Sequence, residues 1–231
     1  MTEPNIFLLW TGSNKPSSAR LRCIYSYLSR SGVNITLITP DNLQDWLTAP
    51  LHPAYPFLSY THRADYLRAY FMHHHGGGYS DIKRCGFNWR PFFELLSSSG
   101  SALMVGYPEN SPKDVASNDL QIRKCFSSLP GMCHFIFKPQ SSITTKWLST
   151  VEAILSAHID ILSENPGTYH PRATRYSYHG RNPLLRLVYA RNKYPFYWNQ
   201  ILGSVLHPIM HQSSMNEKLL LMERPIVRNY R

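Results

Sequence analysis

The chain has 231 residues, 43% of them hydrophobic and 13% aromatic, and a formal charge of +10. Its length and apolar content fit one sizeable domain (residues 1–231) with a proper core, and they exclude an intrinsically disordered chain. The charge favours an anionic partner, whether nucleic acid, a phosphorylated small molecule or an anionic membrane face, without choosing among them.

Ile6 to Trp10 is a short apolar run that ends at Thr11-Gly12 and reads as a buried strand. Ser17 to Ser31 carries Leu21, Ile24, Tyr25 and Leu28 at helical spacing, with Gly32 as its stop. Val33 to Thr39 alternates and is rich in β-branched residues, which predicts a second strand closed by Pro40-Asp41. Strand, helix and strand of these lengths predict a βαβ unit. The expected fold is therefore α/β, a mostly parallel sheet flanked by helices. Further along, Asp41 to Trp46 reads as a short helix, Leu51 to Phe57 as irregular and Thr61 to His74 as a helix. Leu103 to Tyr107 and His134 to Lys138 read as short strands. Ile143 to Ile161 reads as a long helix, and Leu184 to Tyr189 and Trp198 to Leu206 as shorter ones. No run approaches a membrane span, and no charged segment followed by an apolar one opens the chain. Neither an anchor nor a secretory signal is expected, and a cytoplasmic location is. Cys23, Cys85, Cys125 and Cys133 are scattered, without a C-x-x-C pair, and read as free thiols.

The most informative stretch is Arg63 to Lys83, R-A-D-Y-L-R-A-Y-F-M-H-H-H-G-G-G-Y-S-D-I-K. Asp65 and Arg68 stand three apart on one helix face, where the bland alternative is an exposed ion pair. Gly76 to Gly78 break the helix and permit positive φ or a close approach of backbone to a ligand. A short extended piece then brings Tyr79, Ser80, Asp81 and Lys83 to one spot. A carboxylate in Asp81's position can hold a hard divalent cation that bridges a diphosphate. In an open α/β sheet, ligands sit at the carboxyl ends of strands, where Trp10-Thr11, Thr39-Pro40 and Asp81 all fall. His73, His74 and His75 point in different directions on a helix and read as incidental. Glu109, Asp114 and Asp119 lie in a polar loop and read as solvated.

The D-x-x-R to G-G-x-Y-x-D spacing, from Asp65 to Asp81, resembles that of nucleotide-sugar-dependent glycosyltransferases of GT-A fold. These include the sugar-binding DXD family, capsular polysaccharide synthesis proteins and small glycosyltransferases encoded by large algal viruses (chlorovirus). The opening strand, the segment Met132 to Trp147 and the stretch Tyr194 to Pro208 are similar to parts of the same enzymes. The resemblance implies transfer of a sugar from a UDP-sugar to a glycan or glycoprotein hydroxyl, with retention of configuration and without a nucleic-acid partner. It implies that Asp65 and Arg68 contact the donor sugar or ribose, and that Tyr79 and Ser80 line ribose and phosphate. Leu9, Trp10 and Thr11 would flank the nucleobase, and Asp81 would bind ribose and a Mn²⁺ or Mg²⁺ ion. His207 is the implied second metal ligand, although Pro208 argues against a continuous helix from His207 to His211. The chain departs from the pattern at Lys83, where the second acid of DXD is expected. Either a metal is held by Asp81 and a residue from elsewhere, or Lys83 itself neutralises the diphosphate, or its side chain faces away. Three other readings stay open: a transferase that binds nucleotide but is inactive, a metal-dependent phosphohydrolase, and a basic nucleic-acid module. The last would use the Arg172 to Lys193 stretch, where arginines interleave with tyrosines.

Overall fold

The computed structural model describes residues 3–167 and 193–226. The helix expected at Leu184 to Tyr189, and the Arg172 to Lys193 stretch except Lys193 itself, lie outside the described residues.

Alternation along β1 (Asn5–Leu9) sends Phe7 and Leu9 into one hydrophobic cluster and Ile6 and Leu8 into another, so both faces of the strand are buried. Such a strand belongs in the middle of a sheet. It pairs in parallel with β2 (Asn34–Ile38) on one side and β3 (Gly77–Ser80) on the other. β5 (Pro130–Phe137) runs antiparallel to both β3 and β4 (Met104–Pro108), and β6 (Lys218–Leu220) pairs in parallel with β4. The six-stranded order is β2-β1-β3-β5-β4-β6. Three of the five pairings are parallel, as the alternation of strands and helices predicts.

Helices cover both faces. α1 (Ser18–Arg30) and α3 (Arg90–Ser98) contribute Cys23, Ile24, Tyr27, Phe93 and Leu96 to one cluster. α2 (Tyr60–His74), α5 (Ser142–Ala157) and α7 (Gly203–Gln212) build the other with Phe71, Trp147, Val151 and Leu206. The short helices α4 (Leu120–Lys124) and α6 (Ile159–Glu164) lie in the connections. Among the described residues, no helix is long and apolar enough to cross a membrane.

The structure departs from the sequence reading at several places. On α1 the buried residues are Cys23, Ile24 and Tyr27, whereas Leu21, Tyr25 and Leu28 are exposed. Two apolar stripes compete on this helix, and packing against the sheet chooses the one offset from the expected face. The long helix expected to reach Ile161 ends at Ala157, and α6 starts after a break at His158. The last helix begins at Gly203 rather than Trp198 and runs through Pro208. Burial of Val205, Leu206, Ile209 and Met210 outweighs the local cost of that proline, ~3 kcal/mol in a helix interior.

The triple glycine makes the helix-to-strand turn. Gly76 and Gly77 have φ of +64° and +81°, a region that side chains disfavour. A Cβ on Gly77 would lie 2.9 Å from the Asn5 carbonyl oxygen. These glycines therefore serve the turn and the docking of β3 on β1. Gly77→Ala is expected to lower stability by ~1–3 kcal/mol in urea denaturation. Gly100→Ala, where nothing lies within 4 Å of the added carbon, should stay within about 0.5 kcal/mol of wild type. Equal effects at both positions would contradict the account of the turn.

Candidate functional site

From β1 the chain goes to β2 on one side and then returns to β3 on the other, so the gap beyond the carboxyl ends of β1 and β3 is a topological switch point. Leu8 is abreast of Ser80, which sets Leu9, Trp10 and Thr11 beside the segment from Asp81 to Lys83. The Asp81 N–H donates to the Cys133 carbonyl at 2.7 Å, so residues just after β3 meet the amino-terminal part of β5.

α2 brings the other half of the site. Ser59 caps it, its hydroxyl accepting from the His62 N–H, and the helix is buried on nearly every side from Asp65 to Met72. Asp65 and Arg68 are 1% and 9% exposed, so they are not the surface ion pair of the bland reading. Arg68 Nη2 lies 3.1 Å from Asp81 Oδ1 and 3.5 Å from Asp65 Oδ1. Its Nη1 donates to the Met132 carbonyl at 3.1 Å, and the guanidinium stacks 4.5 Å from the centre of the Tyr79 ring. The Tyr79 hydroxyl donates to Asp81 Oδ1 at 2.8 Å. Lys83 Nζ completes the cluster at 2.9 Å from Asp81 Oδ2 and 2.7 Å from Cys133 Sγ. Its ammonium therefore does not face away.

The two carboxylates differ in character. Burial alone pushes the Asp81 pKa up, but Arg68, Lys83 and the hydrogen bonds from Lys83 and Tyr79 together hold it at about 2. Its side chain is 24% exposed and is the open point of the cluster. Burial dominates at Asp65 and raises it to about 7 despite Arg68. Among the described residues, neither Asp65 oxygen has a hydrogen-bond partner, and Arg68 Nε has none either. A buried carboxylate without donors costs stability.

The remaining expected residues are placed as follows. Ser80 is buried, its hydroxyl bonded to that of Tyr27. Trp10 and Thr11 are half-buried; Trp10 Nε1 donates to the Asn14 carbonyl at 2.6 Å, and the Thr11 hydroxyl donates to the Tyr60 carbonyl at 2.6 Å. His207 is fully buried in α7. Its Nδ1 accepts from the Ala116 N–H at 3.0 Å, while Nε2 sits 3.1 Å from the Pro130 carbonyl and 3.4 Å from Glu109. Both ring nitrogens are engaged, and none of these contacts is to Asp81. Glu109, read as solvated, is only 8% exposed, with its Oε1 beside that histidine. Sequence reasoning missed Cys133 and the Met132 carbonyl. Both reach the site only through the antiparallel pairing of β3 with β5.

A divalent cation on Asp81 fits this donor set poorly. Three donors already occupy the carboxylate, and two of them are cations near 3 Å. Among the described residues, no group of three or more His, Cys, Asp and Glu side chains is placed to hold a metal ion. Two surface cavities, of about 480 and 340 Å³, lie at Gln44–Leu51 and between α5 and α7, away from this cluster.

The sequence matches no protein-family profile and no curated protein. One solved structure, described as "PaToxG Glycosyltransferase", is similar over 88% of this chain and 80% of that one, with 14% identity and a TM-score of 0.43.

The opposed pKa values give a pH signature. Asp65 contributes fully below its ordinary value of 3.8, and that contribution is lost as pH rises through about 7. Asp81 contributes above 3.8 and loses its contribution as pH falls toward about 2. The stability of Asp65→Asn relative to wild type should therefore grow by ~2–4 kcal/mol between pH 4 and pH 8, measured by denaturant unfolding. A difference that does not change with pH would show that Asp65 is not the desolvated carboxyl described here.

Proposed function

We propose that the chain is a nucleotide-sugar-dependent glycosyltransferase of GT-A type. It moves a hexose or deoxyhexose from a UDP-sugar of the cytosolic pool to an acceptor hydroxyl on a glycan or glycoprotein. The observation that carries this reading is the buried cluster of Asp65, Arg68, Asp81 and Lys83 at the switch point of the sheet, with a carboxylate that lacks donors among the described residues and two fixed cations, Arg68 and Lys83. A site for a polyhydroxylated, phosphorylated ligand needs both features: unpaired acceptors for hydroxyl groups and fixed positive charge for phosphate. The resemblance of Asp65 to Asp81 to the DXD transferases supports the same conclusion and suggests retention of anomeric configuration.

In this reading the uridine lies along Leu9, Trp10 and Thr11, and ribose hydroxyls donate to the exposed edge of Asp81. Asp65 accepts from sugar hydroxyls, and Arg68 fixes the sugar against it, a positioning role. The bond from the anomeric carbon to the β-phosphate oxygen breaks, its electron pair stays on the diphosphate, and the acceptor oxygen forms the new bond as its proton passes to the departing diphosphate. Negative charge grows on the leaving group beside Lys83 and Arg68, cations already fixed by Asp81 and the Met132 carbonyl, so little reorganisation is needed at the moment of reaction.

The test is UDP release from a panel of UDP-hexoses and UDP-deoxyhexoses. At least one donor should be turned over. Asp81→Asn should cut the rate by about 100-fold and Arg68→Lys by about tenfold, with circular dichroism unchanged. Wild-type rates in both variants would contradict the assignment of the site.

A further inference from the structure

Lys83 stands where the DXD pattern has its second acid, and its side chain turns into the cluster. The chain leaves the extended conformation after Ser80, and the Lys83 N–H turns back to the Asp81 carbonyl at 2.6 Å. That turn puts both side chains on one side and lets the ammonium reach the carboxylate at 2.9 Å. On its other flank the ammonium meets the Cys133 thiol at 2.7 Å. A thiol is a weak acceptor, so exchanging it for a phosphate oxygen gains a charge-assisted hydrogen bond.

The surroundings favour an anion at this position. Arg68 and Lys83 flank Asp81, the Arg20 guanidinium donates to the neighbouring Ile82 carbonyl, and Arg84 is exposed one residue beyond. A divalent cation on Asp81 would sit against two fixed cations and displace bonds the carboxylate already makes. A diphosphate would be drawn to the same charges.

We propose that Lys83 is itself a ligand of the donor's diphosphate and takes the place of a divalent cation, so that nucleotide-diphosphate binding at this site is independent of metal. The inference rests on the nucleotide-sugar reading above. The β-phosphate oxygens accept from the Lys83 ammonium while Asp81 keeps it aimed, and the charge that grows on the leaving group is met by the lysine.

Calorimetry of the full chain with UDP and with UMP, in EDTA and in Mn²⁺, tests this. Wild type should bind UDP with the same affinity within about twofold in both buffers, and about tenfold more tightly than UMP. Lys83→Gln should lose the preference for UDP over UMP while keeping its affinity for UMP, and Lys83→Arg should retain the preference. Lys83→Asp, which restores the acid, should regain it only with Mn²⁺. UDP binding by wild type that vanishes in EDTA and returns with Mn²⁺ would overturn the inference and leave the transferase reading standing. An unchanged UDP preference in Lys83→Gln would overturn Lys83 as the ligand. Absence of UDP binding by folded wild type in both buffers would overturn the transferase reading and this inference together.

Discussion

One carboxylate shared by two cations organises this end of the molecule. Asp81 accepts from Arg68 and Tyr79 on one oxygen and is paired with Lys83 on the other. Burying an arginine in α2 is expensive unless its charge is met, and removing one partner of such a pair leaves the other uncompensated. Asp81 meets that need from a different element, so the pair ties α2 to the end of β3. The Met132 carbonyl and the Tyr79 ring complete the guanidinium's surroundings, and they draw β5 into the same arrangement. Among the described residues Asp65 is the member left without hydrogen-bond donors, and its burial, with Asp81 close by, raises its pKa.

The sheet explains why these groups meet at all. β1 is buried on both faces and fixes the register of β2 and β3 against it. The glycine turn ends α2 and starts β3 within three residues, which sets Asp65 and Arg68 close to Asp81 despite their separation along the chain. The antiparallel entry of β5 then delivers Met132 and Cys133 to the opposite flank. Stability is given up locally for this geometry. A carboxylate without donors and a guanidinium whose Nε is unpaired among the described residues persist because the surrounding aromatic and aliphatic core holds α2 in place.

Much of this was legible in the sequence because it is local. The strand-helix-strand opening, the helix that carries Asp65 and Arg68, the glycine break and the convergence on Asp81 all lie in runs whose periodicity and turn chemistry are readable. The buried face of α1 was not, because Cys23, Ile24 and Tyr27 and the alternative stripe of Leu21, Tyr25 and Leu28 fit the helical period equally well. Cys133 beside Lys83 depends on strand register across a long sequence separation, which no local pattern encodes. His207 shows the converse. Its place in the chain suggested a ligand, but the Ala116 N–H and the Pro130 carbonyl occupy both of its nitrogens. Pro208, read as a break, sits inside a helix held by tertiary burial.

The central claim is that the Asp65, Arg68, Asp81 and Lys83 cluster receives a nucleotide diphosphate. A crystal structure of the chain grown with UDP tests it most directly. The account predicts uridine along Leu9 to Thr11, a ribose hydroxyl on Asp81 and phosphate oxygens within hydrogen-bond distance of Lys83 Nζ. UDP bound elsewhere on the protein, with the Asp81–Lys83 pair closed and untouched, would contradict it.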